Sequence, residues 1–171
     1  MTAELAARVL TYAPVGGTSP AEERWAPPAG VRAFERTVSL GHGEARWGSV
    51  SAAVLTWGVK TRSGFAVRPA ARVAENADFW LVASAGPVRV REPVRVVAVV
   101  DRPDRCGFAY GTLEGHPVSG EEAFVVHRGP DGEVWLTLRS LTTPSAGLWR
   151  AAFPALLVAQ RWYRRRYLRA L

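Results

Sequence analysis

The chain has 171 residues, 48% hydrophobic and 22% charged, with a mean hydropathy of −0.02; these values exclude a disordered or fibrous chain and predict one soluble globular domain over 1–171. The longest apolar run, 151–159, has nine residues, against the roughly 20 that span a bilayer as a helix. Twenty-two basic residues oppose 15 acidic ones, for a net +7, yet the surplus is not spread as a nucleic-acid-coated surface would be, because five arginines fall in the last 11 residues.

The N-terminus MTAELAARVL has the composition of a short helix. It lacks the long apolar core and cleavage site of a signal peptide, so a cytoplasmic location is the default expectation. Four prolines and three glycines in 11–30 predict loop structure. Tyr12 and Trp25 predict that this irregular segment, 1–30, packs on the body of the domain.

Residues 31–40 partly alternate and read as a strand. Over 44–57, Trp47, Val50, Val54 and Trp57 recur at helical steps, and Gly58 is the expected stop. From Phe65 onward the chain reads as β, with strands expected at 65–68, 78–84, 87–100, 106–113, 121–128 and 133–142. The GPDG of 129–132 predicts a hairpin turn, since proline presets φ and glycine supplies a positive one. In the strand that follows, Val134, Leu136 and Leu138 share one face and Trp135, Thr137 and Arg139 the other.

After Pro144 the pattern is helical to the end, so 145–171 is the expected C-terminal helical segment. Proline suits a helix start and not its interior, which predicts a short turn at 145–152, capped by Ser145, and a main helix from about Pro154. Leu156, Gln160, Tyr163, Tyr167 and Leu171 form one stripe along it, with Arg161, Arg164, Arg165 and Arg169 largely off it. The expected fold class is α+β: a curved, mostly antiparallel sheet of about six to seven strands wrapped on a long C-terminal helix.

The block CGFAYGTLEGHPVSGEEAFVV (106–126), the TYxxVG of Thr11–Gly16 and the RRYLRAL of Arg165–Leu171 resemble an uncharacterised family of bacterial and plant proteins, a domain of unknown function. The resemblance spans nearly the whole chain and is most specific in GFAYGTLxGHPxxGEExF, Gly107–Phe124. It carries no activity with it. The element order is also similar to the helix-grip proteins: START-like lipid-transfer, Bet v 1-like hormone-binding and polyketide-cyclase-like domains. That likeness implies an apolar cavity between sheet and helix, and it is one of layout alone.

Motifs for other chemistry are weak or missing. GHGEARWG (41–48) lacks the third glycine of a dinucleotide loop, no GxxxxGKS/T occurs, and no serine stands in GxSxG. His42, His116 and His127 are not spaced as zinc ligands, so no metal or cofactor is expected. One cysteine, Cys106, excludes an internal disulfide. It reads as a small buried residue rather than the partner of His116.

His116 lies in a Gly–His–Pro turn near Glu114, Glu121 and Glu122. It is the candidate acid/base group, with Glu121 as its carboxylate, because imidazole titrates near neutrality. The plainer alternative is a loop histidine tying a turn. Glu121 and Glu122 must face opposite ways, so only one can look inward; either that one pairs with an inward arginine such as Arg139, or the two carboxylates belong to a solvated strand edge, the plainer reading.

Seven tryptophans give either a packed core or an apolar pocket with a few polar anchors. The preferred function is non-covalent binding of a small apolar or amphipathic molecule between sheet and helix. The expected ligand residues are Trp57, Trp80, Tyr110, His116, Glu121, Trp135 and Arg139. The alternatives are a hydrolase or cyclase-like enzyme using His116 with Glu121, or a module meeting an anionic membrane through Arg161, Arg164, Arg165, Arg166 and Arg169. Nucleic acid is the less favoured use of that basic end.

Overall fold

A computed structural model describes residues 2–85, 88–145 and 147–171. In chain order the elements are α1 (Thr2–Ala6), β1 (Arg32–His42), α2 (Glu44–Val54), α3 (Gly58–Arg62), β2 (Phe65–Arg68), β3 (Asp78–Ala85), β4 (Val88–Asp101), β5 (Arg105–Thr112), β6 (Val118–Arg128), β7 (Glu133–Pro144) and α4 (Leu148–Tyr167). The seven strands form one antiparallel sheet in the order β1-β7-β6-β5-β4-β3-β2. The sheet curves around α4, which is a helix-grip layout. The expected strand start at Pro87 lies outside the described residues.

Period-two alternation assigns the faces. Phe79 and Leu81, Phe108 and Tyr110, Phe124 and Val126, and Leu136 and Leu138 line the concave face, where they form the main core with α2, α3 and α4. On the convex face a smaller cluster, Leu5, Trp80 and Leu113, holds α1. The β6–β7 hairpin turns where expected: Gly132 has φ +83° and donates its N–H to the Gly129 carbonyl at 3.0 Å.

Two helices depart from expectation. The helix expected over 44–57 breaks after Val54, and Gly58 begins α3 instead of ending α2. Between them Trp57 takes a left-handed φ of +62°, which costs about 1–2 kcal/mol for a residue with a Cβ. Its ring packs 4.8 Å from Phe79 and 4.6 Å from Phe108. Burying a side chain of that size contributes about 3 kcal/mol, so packing outweighs the strain. The break re-aims α3 and carries Lys60 into the concavity.

The C-terminal helix starts at Leu148, before the expected start at Pro154, and Pro154 lies inside it. Pro154 is exposed, so its ring meets solvent while the helix loses one internal bond. The predicted stripe faces the sheet: Leu156, Gln160, Tyr163 and Tyr167 all lie against the concave side. Arg164, expected off that stripe, is buried. It donates to Ser140 Oγ at 2.7 Å and stacks 4.1 Å from the Phe34 ring.

Candidate functional site

A cavity of about 110 Å³ lies between α4 and the concave face. The specific central block builds much of its wall: Tyr110 on β5, His116 and Pro117 in the β5–β6 loop, and Glu122 on β6. Lys60 of α3, Glu92 of β4 and Thr142 of β7 complete the polar wall, and Phe65, Leu156 and Tyr163 the apolar one.

The floor is a buried ion pair inside aromatic rings. Lys60, the only lysine of the chain, is 2% exposed. Its Nζ lies 2.8 Å from Glu122 Oε2 and donates to the Tyr167 hydroxyl at 2.7 Å. The same ammonium sits 4.3 Å from the Tyr167 ring centroid and 4.7 Å from that of Phe65. Tyr110 donates its hydroxyl to the same Glu122 oxygen. Burial, reinforced by the Glu122 charge, holds the Tyr110 and Tyr167 hydroxyls protonated well above the usual range. A buried pair survives only when its remaining hydrogen bonds are met, and here two phenols meet them.

Glu92 differs. Its carboxyl has no hydrogen bond among the described residues, and the nearest basic atom recorded is His116 Nε2, 3.7 Å from Oε2. Burial pushes it up to about 7, with Lys60 opposing the rise and Glu122 adding to it. Burial pushes His116 down to about 3, so the imidazole is neutral at physiological pH. Its Nδ1 lies 2.8 Å from the Val118 carbonyl. With the proton on Nδ1 the ring donates to that carbonyl and Nε2 faces Glu92 as a lone pair; the Val118 N–H, 3.1 Å from Nδ1, fits the other tautomer, in which Nε2–H faces Glu92. Gln160 donates to Thr142 Oγ1 at 3.1 Å, while its Oε1 is buried with no partner.

The expected ligand residues divide between the two sides of the sheet. Tyr110 and His116 stand in the cavity wall, and Glu121 borders it. Trp57 lies in the adjoining aromatic core. Trp80 is on the convex face, between the guanidinium groups of Arg8 and Arg91 at 5.0 and 4.2 Å. Trp135 alternates out of the concave row of Val134, Leu136 and Leu138 and is half-buried opposite Ser39.

Glu121 and Arg139 also have their charged groups on the convex side. Glu121 accepts from the Tyr12 hydroxyl at 2.7 Å, the Gly16 N–H at 2.8 Å, and both the N–H and hydroxyl of Thr18. Arg139 is 1% exposed and donates to the carbonyls of Ser19, Glu22 and Glu23 and to the Glu35 carboxylate. Together they strap 10–25 across the sheet. Gly111 makes room for that strap, since a Cβ there would lie 2.3 Å from the Tyr12 hydroxyl. The expected His116–Glu121 and Glu121–Arg139 pairs therefore do not form; Glu92 and Glu122 occupy the cavity side.

Cys106 is buried, its Sγ 3.4 Å from Asp101 Oδ1 and from the Arg102 carbonyl; burial pushes the thiol up to about 11. A second cavity, about 130 Å³, lies under the strap between Tyr12, Pro14, Pro28 and Leu141. Its one titratable wall residue, Tyr12, spends its hydroxyl on Glu121. Among the described residues no three His, Cys, Asp or Glu side chains converge as a metal site. No described helix is long and apolar enough to cross a membrane.

Sequence reasoning missed Lys60, Glu92, Glu122, Gln160 and Tyr167 as cavity residues. Two had signals. Lys60 is the single lysine among 21 arginines, and Glu92 is the one acid inside the valine-rich PVRVREPVRVVAVV.

The model of the family described as a domain of unknown function, DUF1990, matches residues 11–170. A UPF0548 protein of Deinococcus radiodurans is 35% identical over 157 residues, covering 84% of this chain and 78% of the relative. A UPF0548 protein of Arabidopsis thaliana is 30% identical over 105 residues, covering 58% of this chain and 51% of the relative. The crystal structure of hypothetical protein jhp0584 from Helicobacter pylori is similar with a TM-score of 0.50 at 10% identity, covering 80% of this chain and 84% of that one, a likeness of fold alone. The chain belongs to the DUF1990 family, a domain of unknown function.

Proposed function

We propose that the cavity beneath α4 binds a small amphipathic molecule without covalent chemistry. The observation that carries this reading is the buried Gln160 Oε1 of α4, which has no partner, across the cavity from the Glu92 carboxyl of β4, which has no hydrogen bond among the described residues. Native structures rarely leave a buried polar atom such as Gln160 Oε1 without water or ligand. Beside them, Phe65, Leu156 and Tyr163 supply an apolar surface, the mixed lining usual in small-molecule sites.

Size restricts the ligand. An engineered cavity of about 150 Å³ holds benzene, so about 110 Å³ encloses a group of that size or smaller. A sterol or polyketide would insert an end only. The wall is also more polar than the apolar cavity implied by the helix-grip resemblance.

The test is native mass spectrometry of the purified protein beside its denatured mass, with Leu156→Trp filling the cavity. A small adduct held by the wild type and absent from L156W supports the reading. An adduct held equally by both places the ligand elsewhere.

A second reading concerns the outer face of α4. Arg161, Arg165, Arg166 and Arg169 are exposed there, beside Trp162 at 51% and Val158 at 66% exposure. That combination suits an anionic membrane surface. Arg164, buried against Ser140, takes no part. Co-sedimentation with phosphatidylserine vesicles, lost in an R161E/R165E variant, is the expected result.

A further inference from the structure

The cavity has a definite electrostatic character. Lys60 spends its charge on Glu122 and a further hydrogen bond on Tyr167. Arg164, the buried cation of α4, faces Ser140 and Phe34 and is absent from the wall. His116 is neutral. With Glu92 ionised, Lys60, Glu92 and Glu122 together carry one net negative charge; Arg164 acts on Glu122 from behind the wall, and Glu92 itself has no cationic partner among the described residues. The groups open to a ligand are acceptors: Gln160 Oε1 is buried with no partner, and the partly exposed Glu92 carboxyl has no hydrogen bond among the described residues.

We infer that the ligand is a small primary amine taken up as its ammonium ion, with Glu92 and Gln160 accepting its hydrogen bonds and its carbon chain lying against Phe65, Leu156 and Tyr163. The inference rests on the ligand-binding reading of the cavity and names the ligand class for it. An ammonium pairs with the Glu92 carboxylate and donates to it and to Gln160 Oε1. A carboxylate ligand would instead meet Glu92 and Glu122 as like charges. The wall already accommodates one ammonium, since Lys60 Nζ sits 4.3–4.7 Å from the Tyr167 and Phe65 rings. The Tyr163 ring, 4.7 Å from Phe65, extends that aromatic surface along the cavity.

The pH response follows from the groups around Glu92. These are Lys60 on α3, Tyr110 on β5, His116 in the β5–β6 loop, Glu122 on β6, and Tyr163 and Tyr167 on α4. Only Glu92 among those with a resolved shift changes charge near neutrality, its carboxyl standing at about 7. Amine affinity rises as Glu92 loses its proton.

The experiment is calorimetric titration of the full chain with n-butylammonium, 1-butanol and butyrate at about pH 6 and about pH 8, with amide NMR spectra to locate binding and Glu92→Gln and Gln160→Leu as variants. The expected order is butylammonium tightest and butyrate weakest, with butylammonium tighter at the higher pH. E92Q loses about tenfold or more of amine affinity and Q160L a few-fold, with 1-butanol losing less than the amine in E92Q. The wild-type order and pH trend stand as a test even if E92Q fails to fold. Butyrate binding as tightly as butylammonium, amine affinity falling toward the higher pH, or a folded E92Q with unchanged amine affinity each overturns the inference while leaving a ligand site. If none of the three probes shifts the cavity amides, the ligand-binding reading falls and this inference with it.

Discussion

Glu121 and Glu122 are adjacent in sequence and opposite in use. Glu121 points through the convex face and is saturated by two backbone N–H groups and two hydroxyls of the N-terminal strap. Glu122 points into the concavity, where its partners are an ammonium and a phenol. Backbone donors make a structural anchor; side-chain donors beside a cavity make a site that a ligand can disturb. One strand thus joins a fastening on one side to chemistry on the other, and the one-residue step between them is the pleat of β6.

The comparison breaks most sharply at Arg139. Arg139→Leu removes the donor to the Thr18, Ser19 and Glu23 carbonyls and the Glu35 carboxylate, while the Glu22 carbonyl keeps Arg105. The expected loss is about 3–5 kcal/mol in urea unfolding, the range for breaking a buried charged network. Ligand affinity of the folded fraction is expected to be unchanged, because the change lies on the convex side.

On the concave side Lys60→Met strands the Glu122 charge in a buried setting, and about 2–4 kcal/mol is expected to be lost. The double variant K60M/E122Q removes the charge along with its partner. It is expected to unfold at higher urea than K60M alone, a non-additivity that double-mutant cycles read directly.

Smaller still is the pH effect, with two limbs of opposite sign. His116 is lowered in the fold from 6.5 to about 3, so the folded state binds fewer protons and stability is lost as pH falls below 6.5. Glu92 is raised from 4.5 to about 7, so the folded state binds more protons and stability is lost as pH rises from 4.5 through 7. Each limb is expected to move stability by about 1–3 kcal/mol. E92Q flattens the alkaline limb and His116→Gln the acid one, as followed by urea midpoints across pH. The least effect belongs to the outer α4 arginines: Arg165→Ala is expected to change stability by no more than about 0.5 kcal/mol.

The sheet was legible because its strands alternate cleanly where one face is buried. β7 is the clearest, with Val134, Leu136 and Leu138 inward. β6 hid its phase. Ala123 and Val125 are as buried as Phe124 and Val126, since the N-terminal strap covers the face that would otherwise be wet. Alternation then separated Glu121 from Glu122 without saying which looked inward. The tryptophans misled for a related reason: aromatic content reports burial and not side, so Trp80 and Trp135 on the convex side carried the same signal as Trp57 within. Proline position set the wrong helix start, because an exposed Pro154 costs less than the packing α4 gains. Tyr110 and His116 were found because the central block is distinctive. Lys60 and Glu92 reach the cavity through a helix break at Trp57 and a strand distant in sequence, and no local pattern brings them together.

The most direct test is a crystallographic fragment screen of the wild-type protein. Fragments are predicted between Glu92, His116 and Gln160 beneath α4, with the Glu121–Arg139 strap unchanged. Fragments that settle instead in the convex cavity beside Tyr12 and Leu141, with the space beneath α4 left bare, would contradict the account.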